Sequence, residues 1–214
     1  MKLAAISMVR DEADIIEVWA RHTLFFLDRL FIIDDGSSDA TASILRMLAA
    51  EGLPVELVPH HSSTSDYQGA CTTQLMAHAL RAAPWDFVFL LDADECPAVS
   101  SRAALELDLS CVPAAAVAGL AKLEYHLSPL DHPDDPNPLT RMQHHFPVED
   151  AVFKVALPGP VARHPRIRVA DGNHSASIAD TRLPAHLLRV TRLAHFPARS
   201  REQLVAKCLS ADMR

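Results

Sequence analysis

Two acidic turns in this sequence have residue types and spacing that could bind a cation. Asp92-Ala93-Asp94 follows the apolar segment 85–91 directly, and Asp34-Asp35 follows another apolar segment, 29–33. Carboxylate oxygens are the hard ligands that Mg²⁺ and Mn²⁺ prefer, and such an ion can bridge to the phosphates of a nucleotide. An isolated Asp-x-Asp is more often a solvated turn. The repetition after two apolar segments favours a divalent-cation site that includes Asp92 and Asp94.

Apolar runs and helical patterns alternate along the first half of the chain. We expect strands at 2–8, 29–34, 54–58 and 85–91, and helices at 12–27, from about 39 to 52 and at 70–82. This alternation predicts an α/β fold with a doubly wound, mostly parallel sheet and helices on both faces. Ligands bind such sheets beyond the carboxyl ends of the strands. Acidic residues follow Val9, Ile33 and Leu91, so we expect all three groups at that edge.

The second half of the chain has a less regular pattern. We expect strands at 112–125, 152–157, 167–169 and 187–192, and a proline-containing loop at 128–138. Ser200 and Gln203 have the spacing of a capping box, which predicts a closing helix that begins at Ser200. The sequence thus predicts one domain, residues 1–214, whose last third folds over the edge of the sheet.

Composition excludes several classes of protein. The 214 residues carry a formal net charge of −7 and are 49% hydrophobic, which is typical of a soluble globular protein. An acidic chain without a basic cluster does not favour nucleic-acid binding. The four cysteines are widely spaced, which indicates reduced thiols and a cytoplasmic location. We expect no export signal and no transmembrane segment, since the longest uncharged stretch, 109–121, is too short to span a bilayer.

Four segments together carry a family resemblance. They are 6–19 (ISMVRDEADIIEVW), 32–41 (IIDDGSSDAT), 90–95 (LLDADE), and 195–200 (HFPARS) with Gln203 and Lys207. They resemble the family 2 nucleotide-sugar glycosyltransferases with the GT-A fold, and the last segment resembles the C-terminal signature of a bacterial subgroup. The resemblance implies metal-dependent sugar transfer, with inversion, from a nucleotide-sugar donor to a hydroxyl of a glycan, lipid-linked or protein acceptor. It also implies a nucleotide-binding half, 1–96, and an acceptor half, 97–214.

The resemblance implies a set of nucleotide-binding residues: Val9, Arg10, Asp34, Asp35 and Asp92. Among these, Asp35 would accept a hydrogen bond from the nucleobase, and Asp92 would contact the ribose or reach the metal through water. Asp11 and Glu12 have two open interpretations. They either hold the loop after the first strand or only provide a favourable charge at the start of a helix.

A metal shell of Mn²⁺ or Mg²⁺ is also implied, with Asp94 as the principal ligand and Asp92 near it. Two histidines are candidates to complete the shell, since imidazole binds Mn²⁺ readily. They are His174, in Gly-Asn-His, and His195, before Phe-Pro. The alternative for each histidine is a packed loop residue whose ring is hydrogen-bonded.

Further charged residues could act on the reacting groups. Lys154, Arg199 and Arg201 could offset charge on the departing diphosphate, although a solvated helix start is the simpler interpretation of the two arginines. An inverting transfer needs a carboxylate base for the acceptor hydroxyl. Glu149 and Asp150 resemble the acidic pair that supplies this base in related enzymes, and a plain acidic surface pair is the alternative.

Other functions remain open at this point. A nicotinamide dehydrogenase is excluded, because Val9-Arg10-Asp11-Glu12 stands where its glycine-rich turn would be. A metal-dependent hydrolase of a phosphorylated substrate would use Asp92, Asp94, His174 and His195. A catalytically silent module that binds nucleotide sugars is the third candidate.

Overall fold

The computed structural model describes residues 1–59, 68–132, 134–147 and 152–211. The polar loop that connects the third strand to the next helix therefore lies outside the described residues. The candidate bases Glu149 and Asp150 lie outside them as well, so their roles stay predictions.

The described chain alternates strands and helices through its first half, as expected. The strands are β1 Leu3–Val9, β2 Arg29–Asp34, β3 Val55–Leu57, β4 Phe87–Leu90, β5 Glu95–Ala98, β6 Val117–Glu124, β7 Phe153–Pro158, β8 Ile167–Val169, β9 Ala176–Ile178, β10 Thr181–Arg182, β11 Ala185–Leu187 and β12 Arg192–His195. The α-helices are α1 Ile16–Phe26, α2 Thr41–Ala50, α3 Gln68–Ala82, α4 Arg102–Ser110, α5 Pro138–Arg141, α6 Gly159–Ala162 and α7 Arg201–Ala211. A 3₁₀ turn covers Asp171–Asn173.

The main sheet has the strand order β3-β2-β1-β4-β7-β6-β12-β5, and β11 also pairs with β6. The strands β3, β2, β1 and β4 are parallel to one another. β7 is antiparallel to both β4 and β6, whereas β12 is parallel to β6 and antiparallel to β5. The predicted α/β class and the mostly parallel sheet are thus confirmed.

Both faces of the sheet are covered, which explains why the central strands are almost wholly apolar. Strand β1 sends Leu3, Ala5 and Val9 into the core beneath α1, α2 and α4. It sends Ala4 and Ile6 into the core beneath α3 and α6. Successive side chains of a strand point to opposite faces, so each face of β1 needs its own helical layer.

A second, three-stranded sheet of β8, β9 and β10 is antiparallel and packs on α3. Gly69 makes this packing possible, because a Cβ atom there would lie 2.4 Å from the carbonyl oxygen of Val169. The backbone N–H of Gly69 also donates to Oδ1 of Asp171, at 2.7 Å. These contacts fix the 3₁₀ turn that carries Asn173 beside the end of the main sheet.

Several boundaries differ from the sequence-based expectations. The strand predicted at 187–192 is wrong, because the backbone N–H groups of Arg189, Val190 and Thr191 donate to the carboxylate of Asp108 and form a loop between β11 and β12. The helix α4 that carries Asp108 was not predicted. Its start is capped by Ser101, whose hydroxyl accepts from the N–H of Ala104 at 3.1 Å.

The first and last helices show how local hydrogen bonding sets helix ends. α1 begins at Ile16 rather than at Glu12. The residues before it belong to the loop after β1, which is hydrogen-bonded to the turn after β2. At the closing helix, the predicted capping contact is present: the hydroxyl of Ser200 accepts from the N–H of Gln203 at 3.0 Å. α7 accordingly begins at Arg201.

Two expectations from composition concern membranes and thiols. Over the residues that the structure describes, the helices are too short or too polar for any of them to cross a bilayer. Cys71 and Cys96 are buried and Cys111 is exposed, and all three are thiols rather than disulfides.

Candidate functional site

The carboxyl ends of β1, β2 and β4 lie side by side. Val9 pairs with Asp34 in the parallel register of β1 and β2, and the N–H of Asp35 donates to the carbonyl of Val9 at 2.8 Å. On the other side of β1, Ile6 pairs with Leu90, after which the chain reaches the Asp-Ala-Asp turn. The acidic groups that follow these strands are therefore brought to one edge of the sheet.

The loops after β1 and β2 are joined by short-range hydrogen bonds. Oδ1 of Asp11 accepts from the N–H and the hydroxyl of Ser38, at 2.7 and 3.0 Å, while the N–H of Asp11 donates to Oγ of Ser37 at 3.0 Å. The hydroxyl of Ser37 donates in turn to Oδ1 of Asp34, at 2.5 Å. Asp11 therefore holds the loop, and Asp34 shapes the turn.

Asp35 and Arg10 form the rim of this edge. Both side chains are partly exposed, and the guanidinium of Arg10 lies 4.0 Å from Oδ2 of Asp35. The side chain of Val9, by contrast, is buried in the core. The side chains of Asp35 and Arg10 are therefore partly accessible to solvent at this edge, whereas Val9 belongs to the core beneath it.

Strand β12 explains why His195 and two carboxylates converge. It lies between β5 and β6, and His195 is paired in register with Glu95 on one side and with Glu124 on the other. The next residue, Phe196, donates its N–H to the carbonyl of Asp94 at 2.8 Å. The histidine ring is therefore held beside the end of the Asp-Ala-Asp turn.

Asp94 is almost fully buried, and positively charged side chains surround its carboxylate. Its Oδ1 lies 3.6 Å from Nε2 of His195, and its Oδ2 lies 3.0 Å from Nζ of Lys207 and 3.9 Å from the guanidinium of Arg199. Burial alone would raise the pKa of Asp94, but the adjacent imidazole of His195 and its charge, together with Lys207, hold this pKa well below its usual range. Asp94 is therefore ionised at neutral pH.

The other ring nitrogen of His195, Nδ1, contacts Glu124, a residue that the sequence analysis did not identify. Nδ1 of His195 lies 2.7 Å from Oε2 of Glu124, and the ammonium of Lys122 lies 3.2 Å from the same carboxylate group. Burial lowers the pKa of His195, but the adjacent carboxylate of Asp94 and its negative charge outweigh burial and raise this pKa above its ordinary value. A carboxylate on each ring nitrogen fixes the orientation of the imidazole.

Asp92 belongs to a second group of charges beside Asp94. The ammonium of Lys154, 2% exposed, lies 2.5 Å from Oδ2 of Asp92 and 3.5 Å from the buried carboxylate of Glu95, while the amide of Asn173 donates to Oδ1 of Asp92 at 3.3 Å. Burial, and then the charge of Asp92, raise the pKa of Glu95. Burial lowers the pKa of Lys154, but Glu95 and Asp92 outweigh it and raise this pKa. Lys154 therefore stabilises Asp92 from within the protein.

The interpretation of Arg199 as part of a solvated helix start is wrong. It is only 1% exposed, and its guanidinium makes two 2.8 Å hydrogen bonds to Asp14, one to Glu12 and a 2.9 Å bond to the carbonyl of Phe196. Burial raises the pKa of Glu12 to about 7, although Arg199 opposes this shift. Arg201, two residues later, is exposed as expected. Arg199 thus ties the C-terminal segment to the loop after β1.

His174 lies in a different environment from His195. Its Nδ1 is 2.7 Å from the carbonyl oxygen of Phe153, as a packed loop histidine would be. The ring lines a mostly apolar cavity of about 510 Å³, together with residues such as Val155, Arg182 and Leu187. The structure therefore gives His174 and Asp92 partners of their own, and of the two candidate histidines it brings His195 to Asp94.

Asp94 and His195 have the chemistry of a divalent-cation site. With Nδ1 bound to Glu124, an Nε2 that has lost its proton offers a lone pair to a cation, which is the usual arrangement of a metal-binding histidine and its supporting carboxylate. Mg²⁺ takes few protein ligands, at about 2.1 Å, and uses water and phosphate for the rest. Within the described ranges, no three His, Cys, Asp or Glu side chains surround a common point. Asp94 and His195 could therefore hold such an ion only together with ligands from outside the protein, such as water or phosphate oxygens.

Some of these residues carry a signal that sequence analysis could have used. Glu124 ends the apolar strand β6, in the same way that Asp34 ends β2. Lys122 and Lys154 interrupt strands that are otherwise apolar, which indicates a buried partner of opposite charge. The burial of Arg199 has no such signal, because its partners lie almost the whole chain length away.

The comparison with family models gives one match. Residues 18–101 match the model described as glycosyl transferase family 2. This confirms the resemblance over a range that contains Asp34, Asp35, Asp92 and Asp94. No curated protein matches the chain.

Solved glycosyltransferase structures are similar to this chain at low identity. Mannosyltransferase PcManGT from Pyrobaculum calidifontis, in complex with GDP-Man and Mn²⁺, is 21% identical with a TM-score of 0.42, over 56% of this chain and 35% of its own. S. aureus TarS is 13% identical with a TM-score of 0.48, over 91% of this chain and 36% of its own. Glucosyl-3-phosphoglycerate synthase from Mycobacterium tuberculosis, with Mn²⁺, UDP and glucosyl-3-phosphoglycerate, is 14% identical with a TM-score of 0.46, over 96% of this chain and 75% of its own. The chain thus spans little more than a third of the length of the first two.

Proposed function

We propose that this chain is a metal-dependent glycosyltransferase that transfers a sugar from a nucleotide-sugar donor to an acceptor hydroxyl, with inversion at the anomeric carbon. One observation carries the proposal. Within the segment that matches family 2, the ends of β2 and β4 present Asp35 and Asp94 at the same edge of one sheet. Asp35 is at the partly exposed rim, and Asp94 is buried beside His195.

In this proposal the donor lies along that edge. The carboxylate of Asp35 accepts a hydrogen bond from an N–H group of the nucleobase, and Arg10 lies beside it at the rim. Asp34 and Asp11 keep the two loops in place through Ser37 and Ser38. The nucleoside therefore binds mainly to groups that are already ordered, which lowers the entropic cost of binding.

The diphosphate of the donor would then lie near Asp94. Asp94 and His195 would hold Mn²⁺ or Mg²⁺, which neutralises negative charge on the departing diphosphate. Glu124 fixes the tautomer and orientation of His195. Lys154 and Asn173 hold Asp92 at the entrance to the same turn, where it can contact the ribose.

The acceptor would enter from the second half of the chain, 97–214. A carboxylate base takes the proton of the acceptor hydroxyl as its oxygen attacks the anomeric carbon, and the diphosphate leaves from the opposite side. Glu149 and Asp150 are our candidates for this base. The cavity beside His174 adjoins the turn that carries Asn173, so an apolar part of an acceptor could occupy it.

The hydrolase alternative is less well supported by the geometry. It needs Asp92, Asp94, His174 and His195 around one ion, but Asp92 contacts Lys154 and His174 contacts the carbonyl of Phe153. Asp94 and His195 are 3.6 Å apart, but no three of these four side chains surround a common point. Sugar transfer requires no more than that pair, because the diphosphate supplies further oxygen ligands.

The test is a thermal-shift screen of nucleotide sugars, with and without Mn²⁺, on the wild type and on Asp94→Asn. We expect at least one donor to raise the melting temperature of the wild type, and this rise to depend on Mn²⁺. Asp94→Asn should lose the Mn²⁺-dependent part of the shift and should lose turnover. Glu17→Gln, which removes an exposed carboxylate on α1, is the control and should behave as the wild type. An Asp94→Asn protein with wild-type turnover would remove Asp94 from the mechanism.

A further inference from the structure

Lys207 reaches the candidate cation site from the closing helix α7. Its ammonium lies 3.0 Å from Oδ2 of Asp94, 3.4 Å from the carbonyl of Pro197 and 3.9 Å from Oε1 of Glu12. The position of Lys207 thus places one positive charge directly on the carboxylate that is proposed to bind the metal.

The two carboxylate oxygens of Asp94 face different partners. Oδ1 faces His195, and Oδ2 faces Lys207, with Arg199 farther away. A divalent ion beside Asp94 would stand within a few ångströms of the lysine ammonium, and two such charges repel strongly in a partly desolvated site. The lysine and the ion therefore cannot both remain close to the same carboxylate without a large electrostatic cost.

Lys207 and Arg199 differ in how firmly they are held. Arg199 is buried and bound to Asp14 through two hydrogen bonds. The side chain of Lys207 is 46% exposed, and a flexible four-carbon stem carries its charge. Of the two cations, Lys207 is the one that can move into solvent while the rest of the site stays in place.

We propose that Lys207 competes with the divalent cation for Asp94, so that the metal binds as the lysine withdraws. In the metal-free protein, Lys207 keeps the charge of Asp94 compensated and links α7 to the Asp-Ala-Asp turn. When the metal binds, α7 loses this link, and the ammonium is free to meet an anionic group nearby. This inference rests on the proposed metal-dependent function.

The test measures Mn²⁺ binding without nucleotide or turnover, through the electron paramagnetic resonance signal of free Mn²⁺. Lys207→Met should bind Mn²⁺ about fivefold to tenfold more tightly than the wild type, because it removes the competing charge. Lys207→Arg keeps the charge and should bind close to the wild type. Arg201→Met removes an exposed positive charge from the same helix, so it controls for net charge and should leave the affinity nearly unchanged.

The outcomes separate this inference from the function on which it rests. If Lys207→Met binds Mn²⁺ no more tightly than a wild type that does bind it, the competition is refuted while the metal site stands. A gain of the same size in Arg201→Met would also refute it, because net charge would then explain the effect. If none of the four proteins binds Mn²⁺, the competition is refuted, and the Mn²⁺-dependent thermal shift with a nucleotide sugar decides separately on the metal-dependent function.

Discussion

The two acidic regions at the edge of the sheet are built in opposite ways. Around Asp35 the loops are held by hydrogen bonds from backbone and hydroxyl groups, and the charged side chains are partly exposed. Around Asp94 the contacts are between charged side chains, and they come from segments that are far apart in the chain, from Glu12 to Lys207. The first region can form from the N-terminal strands alone, whereas the second needs the whole chain.

This difference has energetic consequences. A buried ion pair seldom adds much stability, since desolvation of the charges offsets their attraction, but removal of one partner leaves a buried charge without compensation. An exposed pair contributes little in either direction. We therefore expect substitutions near Asp94 to affect folding and ligand binding together, and substitutions near Asp35 to affect ligand binding alone.

The largest effect should come from Arg199→Met. This change leaves Asp14 and Glu12 without their guanidinium partner and removes the contact between the C-terminal segment and the loop after β1. We expect a loss of about 3–5 kcal/mol in the free energy of unfolding, measured by urea denaturation. Arg201→Met, at an exposed position of α7, is the matched control. A loss below about 1 kcal/mol for Arg199→Met would show that the stability of the region around Asp94 is no more sensitive to substitution than that of an exposed surface position.

An intermediate effect, on binding alone, should come from Asp35→Ala. The carboxylate is proposed to accept a hydrogen bond from the nucleobase, and loss of such a contact costs about 1–3 kcal/mol of nucleotide affinity. Isothermal titration with the nucleotide found in the thermal-shift screen measures this cost. The unfolding free energy should stay close to that of the wild type. An unchanged dissociation constant would contradict the role of Asp35, and a large loss of stability would contradict the proposed difference between the two regions.

The sequence predicted the region around Asp35 better than the region around Asp94. Parallel strands with helices on both faces have a known edge for ligands, so the apolar runs and the acidic turns that follow them sufficed to bring Asp34, Asp35 and Asp94 together. The same reasoning failed at 187–192, where the loop depends on three hydrogen bonds to Asp108 in a helix that was not predicted. Patterns along the chain report local structure, but they do not report which distant side chain will satisfy a backbone group.

The predictions for individual site residues show the same difference between local structure and distant contacts. His195 was a candidate from its local context, but its contact with Glu124 depends on the register of β12 against β6. The register of strands from distant parts of the chain cannot be read from periodicity, because any shift by two residues keeps the same face buried. Arg199 was interpreted as solvated for a similar reason: the carboxylates that surround it belong to the N-terminal loop.

The smallest effect should come from Arg10→Gln, which is the counterpart of Arg199→Met at the other region. Arg10 lies 3.7 Å from Asp11 and 4.0 Å from Asp35, and its side chain is 43% exposed. Because water screens both pairs, we expect a change in unfolding free energy of no more than about 0.5 kcal/mol, by the same urea denaturation. Both substitutions replace an arginine with a neutral side chain, so the difference between their effects mainly reports how deeply each arginine is buried and paired. Equal losses from the two would mean that the region around Asp35 also depends on its charges for folding.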